Sequence, residues 1–420
     1  MRIINCFYWL ALCSFIFSCQ LEKHHKKPNL IPDVLLILVD DMGYSDIGCF
    51  GSEIETPNID GLAREGLVMT QFYNAARCCP SRASLLTGLY PHQAGMGHQN
   101  QDRGHPSYRG RITNNATTIA EVLQNGGYTT YQVGKWHVGS DRNHWPDKKG
   151  FDQFFTLIDG AMNYYNQWPW VQGQDSLEMT YNGAPYYTRS GFYATTTFSD
   201  SAASFIENHD PANPLFMYLA YNAPHWPLHA PEATIEKYRG QYMSGWDSTR
   251  QARLDRLKVM GLVNHKARLS ERFHAVPSWD SLTTEEKTAW DLKMTLYSAV
   301  MDHLDKGIGR VIQALQKTGR LDNTIVVFLS DNGGCHEDPV PANAPWAIHP
   351  TDGAPGSAHS FPSYGMPWAN VSNAPFSHFK SYVHEGGIAT PLIVRYPHQT
   401  PEGVVNTSTV GHIMDIMPTL

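Results

Sequence analysis

Val34-Leu35-Leu36-Ile37-Leu38-Val39, closed by Asp40-Asp41-Met42-Gly43, has the same design as Thr324-Ile325-Val326-Val327-Phe328-Leu329, closed by Ser330-Asp331-Asn332-Gly333. A continuous aliphatic run is what a parallel strand buried on both faces requires, because neither face can be left polar. The acidic and amide residues then stand at the carboxyl end of each strand. Tyr128–Val133, Leu215–Tyr221 and Pro391–Val394 read as further strands. Apolar residues from Met294 to Leu315 recur at spacings of three and four, which predicts a long amphipathic helix over 289–318. Thr118–Leu123 and Ser199–Ile206 predict shorter helices. Strands alternating with helices imply an α/β fold, a large mixed, mostly parallel sheet covered by helices on both faces. Ligands of such sheets bind at the carboxyl ends of strands. Residues 160–195 and the polar segment 231–285, the latter with weak helical character, read as loops around a site mouth, and 340–376 as an irregular loop.

Composition narrows the function. The 420 residues carry a net charge of −7, 17% charged and 12% aromatic side chains. That is too aromatic and too weakly charged for a disordered chain. The acidic balance disfavours nucleic acid as a partner. No apolar run beyond the N-terminus approaches about 18 residues, so a polytopic membrane protein is excluded. Residues 1–18 predict an export signal, with Arg2 ahead of an apolar stretch. Ile16-Phe17-Ser18-Cys19 resembles a bacterial lipobox, so Cys19 is expected to be lipidated, with 19–30 a polar tether; the alternative is ordinary cleavage without lipid. The expected location is the periplasm or cell surface, held to the membrane by the lipid anchor only. Beyond Cys19 only Cys49, Cys78, Cys79 and Cys335 remain, without zinc spacing.

Two acidic clusters at equivalent strand ends suggest one hard-cation site. Asp40, Asp41, Asp331 and Asn332 offer oxygen ligands, which suit Ca²⁺ or Mg²⁺ rather than zinc. Singly, each cluster is also what a turn or helix cap looks like.

Cys78-Cys79-Pro80-Ser81-Arg82-Ala83-Ser84-Leu85-Leu86-Thr87-Gly88 is the most specific stretch. It resembles the signature C-x-P-S-R-x-x-x-L-T-G of the formylglycine-dependent type I sulfatases, in the alkaline phosphatase superfamily. Gly134-Lys135-Trp136-His137-Val138-Gly139, Ala223-Pro224-His225-Trp226-Pro227, and Lys380 followed by Glu385-Gly386-Gly387 resemble that family's further motifs, in the family's order. After them Ala389 stands where arginine is frequent. The resemblance spans residue 33 to the end and implies an alkaline-phosphatase-like catalytic domain over 31–420. Family chains continue into a smaller C-terminal subdomain, so a chain truncated before it is expected.

The resemblance also implies a chemistry. A maturation enzyme converts Cys78 to Cα-formylglycine, whose hydrate attacks the sulfur of a sulfate monoester and then expels sulfate by reforming the aldehyde. Asp40, Asp41, Asp331 and Asn332 would hold Ca²⁺, or Mg²⁺, with residue 78 as a further ligand. Arg82 would support the hydrate, and Lys135 and Lys380 would clamp sulfate oxygens. His137 is the candidate base and His225 the candidate acid, imidazole titrating near neutrality. Pro80 is expected to keep Cys79 extended ahead of the helix. A second thiol, Cys79, beside the nucleophile favours maturation before export. The substrates expected are sulfated glycans or aryl sulfates. Tyr164, Tyr165, Trp168 and Trp170 would stack on sugar rings or pack a loop, and Asp102 and Arg103 would meet sugar hydroxyls. The rival readings are a phosphate or phosphonate monoester hydrolase of the same fold, and a non-catalytic lipoprotein binding sulfated glycans.

Overall fold

The computed structural model describes residues 31–169, 176–338, 352–397 and 399–420; the predicted signal, Cys19 and the tether lie outside them. A ten-stranded sheet organises Pro32–Leu420. Its strands are β1 (Asp33–Val39), β2 (Leu67–Met69), β4 (Thr129–Lys135), β5 (Gln153–Leu157), β6 (Met179–Tyr181), β7 (Ala184–Pro185), β8 (Leu215–Ala220), β9 (Thr324–Ser330), β10 (Leu392–Arg395) and β11 (Val404–Asn406). β3 (Phe72–Tyr73) and β12 (Gly411–His412) form a separate pair. The order is β11-β2-β10-β9-β1-β8-β4-β5-β6-β7. The central five, β9-β1-β8-β4-β5, are parallel, and antiparallel pairs flank them.

Both faces of β1 are buried, as its aliphatic run requires. Leu35, Ile37 and Val39 join one core with Phe198 of helix α4 (Ala194–Glu207) and Leu304 and Ile308 of α7 (Thr284–Lys317). Val34, Leu36 and Leu38 join the other with Leu85 of α2 (Cys78–Thr87) and Ala120 of α3 (Ile119–Asn125). The alternation is the period-two geometry of a strand covered on both sides. Helix α1 (Pro57–Arg64) completes the N-terminal set. α7 begins earlier than its apolar stripe because Thr283 and Glu286 form a capping box; Thr118 and Glu121 start α3 likewise.

Three expectations are corrected. The 231–285 segment contains α5 (Glu232–Tyr238) and α6 (Gly245–Val259). The buried face of α6 is Trp246, Thr249, Arg250, Arg253, Leu254 and Leu257, so two arginines interrupt the stripe that would have announced it. Residues 365–372, read as loop, form α8 (Gly365–Ser372), followed by the short α9 (Glu385–Ile388). Cys79 is helical rather than extended. Pro80 lies in the first turn of α2, where a proline sacrifices no helical hydrogen bond; the first bond there runs from Ser81 N to Arg77 O (3.0 Å).

Candidate active site

The carboxyl ends of four adjacent parallel strands carry the residues singled out in the sequence. β1 delivers Asp40 and Asp41, β9 delivers Asp331 and Asn332, and β4 ends in Lys135 with His137 two residues on. The segment after β8 carries His225. Cys78 is the first residue of α2, and Arg82, one turn later, shares its face. Asp41 and His137 both hold positive φ, 68° and 55°. For side-chain-bearing residues that conformation is strained, and such strain concentrates at functional sites.

Below the surface the charged groups form an alternating cluster. Lys135 Nζ donates to Asp40 Oδ2 (2.6 Å). Arg82 donates to Asp331 Oδ2 through Nη2 (2.9 Å) and Nε (3.1 Å), and its Nη2 is 3.7 Å from Asp40. Lys380 Nζ lies 2.8 Å from Asp41 Oδ1, and Asn332 Nδ2 donates to the same oxygen (2.6 Å). All these side chains are buried. Burial alone would raise the Asp41 carboxyl, but Lys380 and His225 hold it at about 2. Burial likewise opposes the Lys380 charge, and Asp41 keeps the proton on. Two buried oxygens, Asp40 Oδ1 and Asn332 Oδ1, have no hydrogen-bond partner among the described residues. Orphaned oxygens in a carboxylate and carboxamide set fit a hard cation.

Above this cluster opens a cleft of about 470 Å³, onto which Cys78, His137, His225 and Lys380 face. A hydrogen bond from Cys79, then Lys135 and His137, hold the Cys78 thiol well below its ordinary value despite burial. Cys79 Sγ meets Gln99 Oε1 at 3.0 Å. Burial pulls the His137 imidazole down, so it is neutral near pH 7. His225 Nδ1 lies 2.6 Å from the Trp226 carbonyl, which places its proton on Nδ1, while Nε2 is 3.4 Å from Asp41 Oδ2. Lys135 is not on the cleft lining; it stands beneath, against Asp40.

The family profile described as Sulfatase matches residues 32–420. The chain belongs to the sulfatase family. This sulfatase is 36% identical to an uncharacterised sulfatase of Schizosaccharomyces pombe, over 96% of its own length and 76% of that protein's. It is 35% identical to an arylsulfatase of Klebsiella aerogenes, over 93% and 86% of the two chains. The crystal structure of Ps i-CgsB in complex with k-i-k-neocarrahexaose is similar in fold, with TM-score 0.64 and 27% identity, covering 93% of this chain and 71% of that one. The chain is a sulfuric ester hydrolase with the alkaline-phosphatase-like fold.

Not every residue suggested for the substrate reaches the cleft of this sulfatase. Tyr164 is fully buried and its hydroxyl donates to the His225 carbonyl (3.0 Å), so it braces the His225 segment. Tyr165 packs over the His229 ring. Trp168 is exposed and meets His359 edge-on; Trp170 lies outside the described residues. Asp102 pairs with Arg111 (3.0 Å) and Arg103 with His98 (3.1 Å), both away from the cleft lining. Asp159, Gln99 and Trp226 do line it. Asp159 was legible in principle: Phe154-Phe155-Thr156-Leu157-Ile158 closed by Asp159-Gly160 repeats the design of β1 and β9.

Proposed function

We propose that this sulfatase hydrolyses sulfate esters of carbohydrates, with residue 78 matured to formylglycine and Ca²⁺, or Mg²⁺, held by Asp40, Asp41, Asp331 and Asn332. The observation that carries the reading is the position of Cys78. It lies in the cleft at the start of α2, over a buried carboxylate cluster with two unpartnered oxygens. The likeness to the arylsulfatase of Klebsiella aerogenes supports sulfate ester hydrolysis, and the likeness to the oligosaccharide-bound Ps i-CgsB supports a carbohydrate as the alcohol.

A divalent cation there would draw charge from sulfate oxygens, and formylglycine would supply an oxygen nucleophile as its hydrate. The protein's own groups do the rest. The three carboxylates face three buried cations, Arg82, Lys135 and Lys380. An added dication therefore leaves a positive excess that an anionic ester meets. Lys380, on the cleft lining, binds a sulfate oxygen as a point charge. Arg82 fixes Asp331 through two hydrogen bonds. Neutral His137 takes a proton from residue 78. His225 holds one proton on the Trp226 carbonyl and, protonated at Nε2 beside Asp41, gives the other to the departing oxygen. Export and a lipid anchor on Cys19 belong to the same proposal, since surface tethering suits a polymeric substrate.

The test combines a peptide mass across residue 78 with turnover of 4-nitrophenyl sulfate. The expected result is loss of sulfur and gain of an aldehyde oxygen at residue 78, turnover abolished by Cys78→Ala, and turnover suppressed by chelators. An unmodified thiol in active protein, or a large preference for the phosphate ester, would overturn the reading.

A further inference from the structure

Each buried carboxylate of the cation cluster has a cationic partner within 3 Å: Asp40 has Lys135, Asp41 has Lys380, Asp331 has Arg82. On the outer wall of the cleft Glu337 is paired with Arg77 at 3.2 Å, and Asp338 lies 3.9 Å from Lys293. Asp159 differs. It lines the same cleft, just past the end of β5, yet no ion pair reaches its carboxylate among the described residues. Its partner is the backbone of Glu178, and burial pushes its carboxyl up from the ordinary value. His137 stands near enough to offset part of that rise, but no hydrogen bond joins the two at Nδ1, which is buried without a partner among the described residues.

A half-buried carboxylate without a cation has lost water and gained little in return. Carboxylate oxygens can accept from several donors at once, and bonds from hydroxyls to an ionised acceptor are strong ones. Around the same cleft stand the carboxamide of Gln99, able to donate and accept, and an edge of the Trp226 indole, whose ring is otherwise packed against Phe361. Lys380 belongs to the sulfate end, and Arg77 is engaged by Glu337. The part of the cleft that receives the alcohol half of the ester therefore offers acceptors but, among the described residues, no uncommitted lysine or arginine.

We infer that Asp159 reads the alcohol half of the ester and selects an uncharged, multiply hydroxylated ring over one that carries a carboxylate or a second sulfate. The inference rests on the proposed sulfatase site and deepens it. Two hydroxyls of the ring donate to the Asp159 carboxylate. A second anion on that ring meets like charge, which is discrimination by repulsion. An aryl group brings no hydroxyl and leaves Asp159 desolvated and unpaired, which weakens its binding.

The experiment measures kcat and KM of the matured enzyme, and of Asp159→Asn, on four substrate types. These are positional isomers of a neutral hexopyranoside monosulfate, the same sugars with a second sulfate on the ring, a hexuronide monosulfate, and 4-nitrophenyl sulfate. The wild type is expected to rank a neutral monosulfate first. Asp159→Asn is expected to lower kcat/KM on it by about 10- to 100-fold, mainly through KM, the loss of hydrogen bonds to a charged acceptor. The preference over the disulfated and uronic sugars should shrink with it. A uniform loss on all four types, with every ratio kept, would mean that Asp159 only supports the fold and would overturn the inference. So would a wild type that prefers the uronide or the disulfate; that ranking needs no variant. Turnover of 4-nitrophenyl sulfate with every sugar refused would overturn this inference and the carbohydrate part of the proposed function, and keep the formylglycine sulfatase chemistry. No turnover of any sulfate ester would overturn both.

Discussion

Gly160 carries no side chain because the His137 ring occupies the place where one would stand. A Cβ at residue 160 would overlap that ring, and the ring cannot retreat without leaving residue 78. Gly160→Ala is therefore expected to displace His137 and lower kcat/KM by about 100-fold, the usual cost of an ångström-scale misplacement, while the thermal transition changes little. Wild-type kinetics in this variant would refute the placement of His137. The neighbouring Gly134, at φ 100°, meets the backbone of Ala220, which lets β4 and β8 close tightly where they deliver Lys135 and the His225 segment. At this scale the motif residues were legible because each is a rare type in a fixed pattern. Asp159 was not singled out, since a lone Asp-Gly after an apolar run is ordinary turn chemistry until the strand is placed beside the site.

Helix α6 shows what an element contributes beyond its own stability. Arg253 reaches from it into the loop after β1, where Nη1 donates to Asp46 (2.7 Å) and Nη2 to Glu53 (2.8 Å). Asp46 also accepts from the Tyr297 hydroxyl of α7 (2.6 Å) and from Gly43 N (2.9 Å). The helix thus clamps the turn that follows Asp40 and Asp41. Arg253→Met is expected to cost about 3–5 kcal/mol, because it leaves Asp46 buried without its cation. Urea unfolding would measure this, and a change below about 1 kcal/mol would show that the pair is not a clamp. The same arginines explain why the segment looked like a polar loop. A buried arginine reads as surface in a sequence, and only its partners, some 200 residues away, reveal that it is inside.

Across the whole molecule, His229 joins segments distant in the chain. Its Nδ1 accepts from Tyr164 N (3.3 Å), its Nε2 donates to the Ser360 carbonyl (2.7 Å), and its own carbonyl accepts from the Tyr193 hydroxyl (2.9 Å). Both ring bonds require the neutral imidazole, and burial lowers its pKa from 6.5 to about 4. Between those values the unfolded chain binds the proton and the folded one does not. Stability from this residue is therefore complete above pH 6.5 and is lost as the pH falls toward 4, by about 2 kcal/mol at pH 5. Urea midpoints of wild type and His229→Gln at pH 7, 6 and 5 would check this. The variant should be weaker at pH 7 and flatter across the range, whereas equal slopes would exclude His229 as the source.

Taken by itself, the amino-acid sequence determined the sheet and the list of reactive groups. Both are written locally, the buried parallel strands in the aliphatic runs at Val34 and Thr324 and the chemistry in the pattern around Cys78, and local order is all that periodicity and spacing encode. The tertiary structure decided everything that depends on distance between remote residues. It paired each carboxylate of the cluster with its own cation and left Asp40 Oδ1 and Asn332 Oδ1 open. It turned Tyr164 inward as a brace. It left Asp159 on the cleft wall with a backbone partner but no ion pair among the described residues. Charge and burial act through space, so which of two identical side chains is neutralised and which is kept waiting is fixed only when the chain has folded around it.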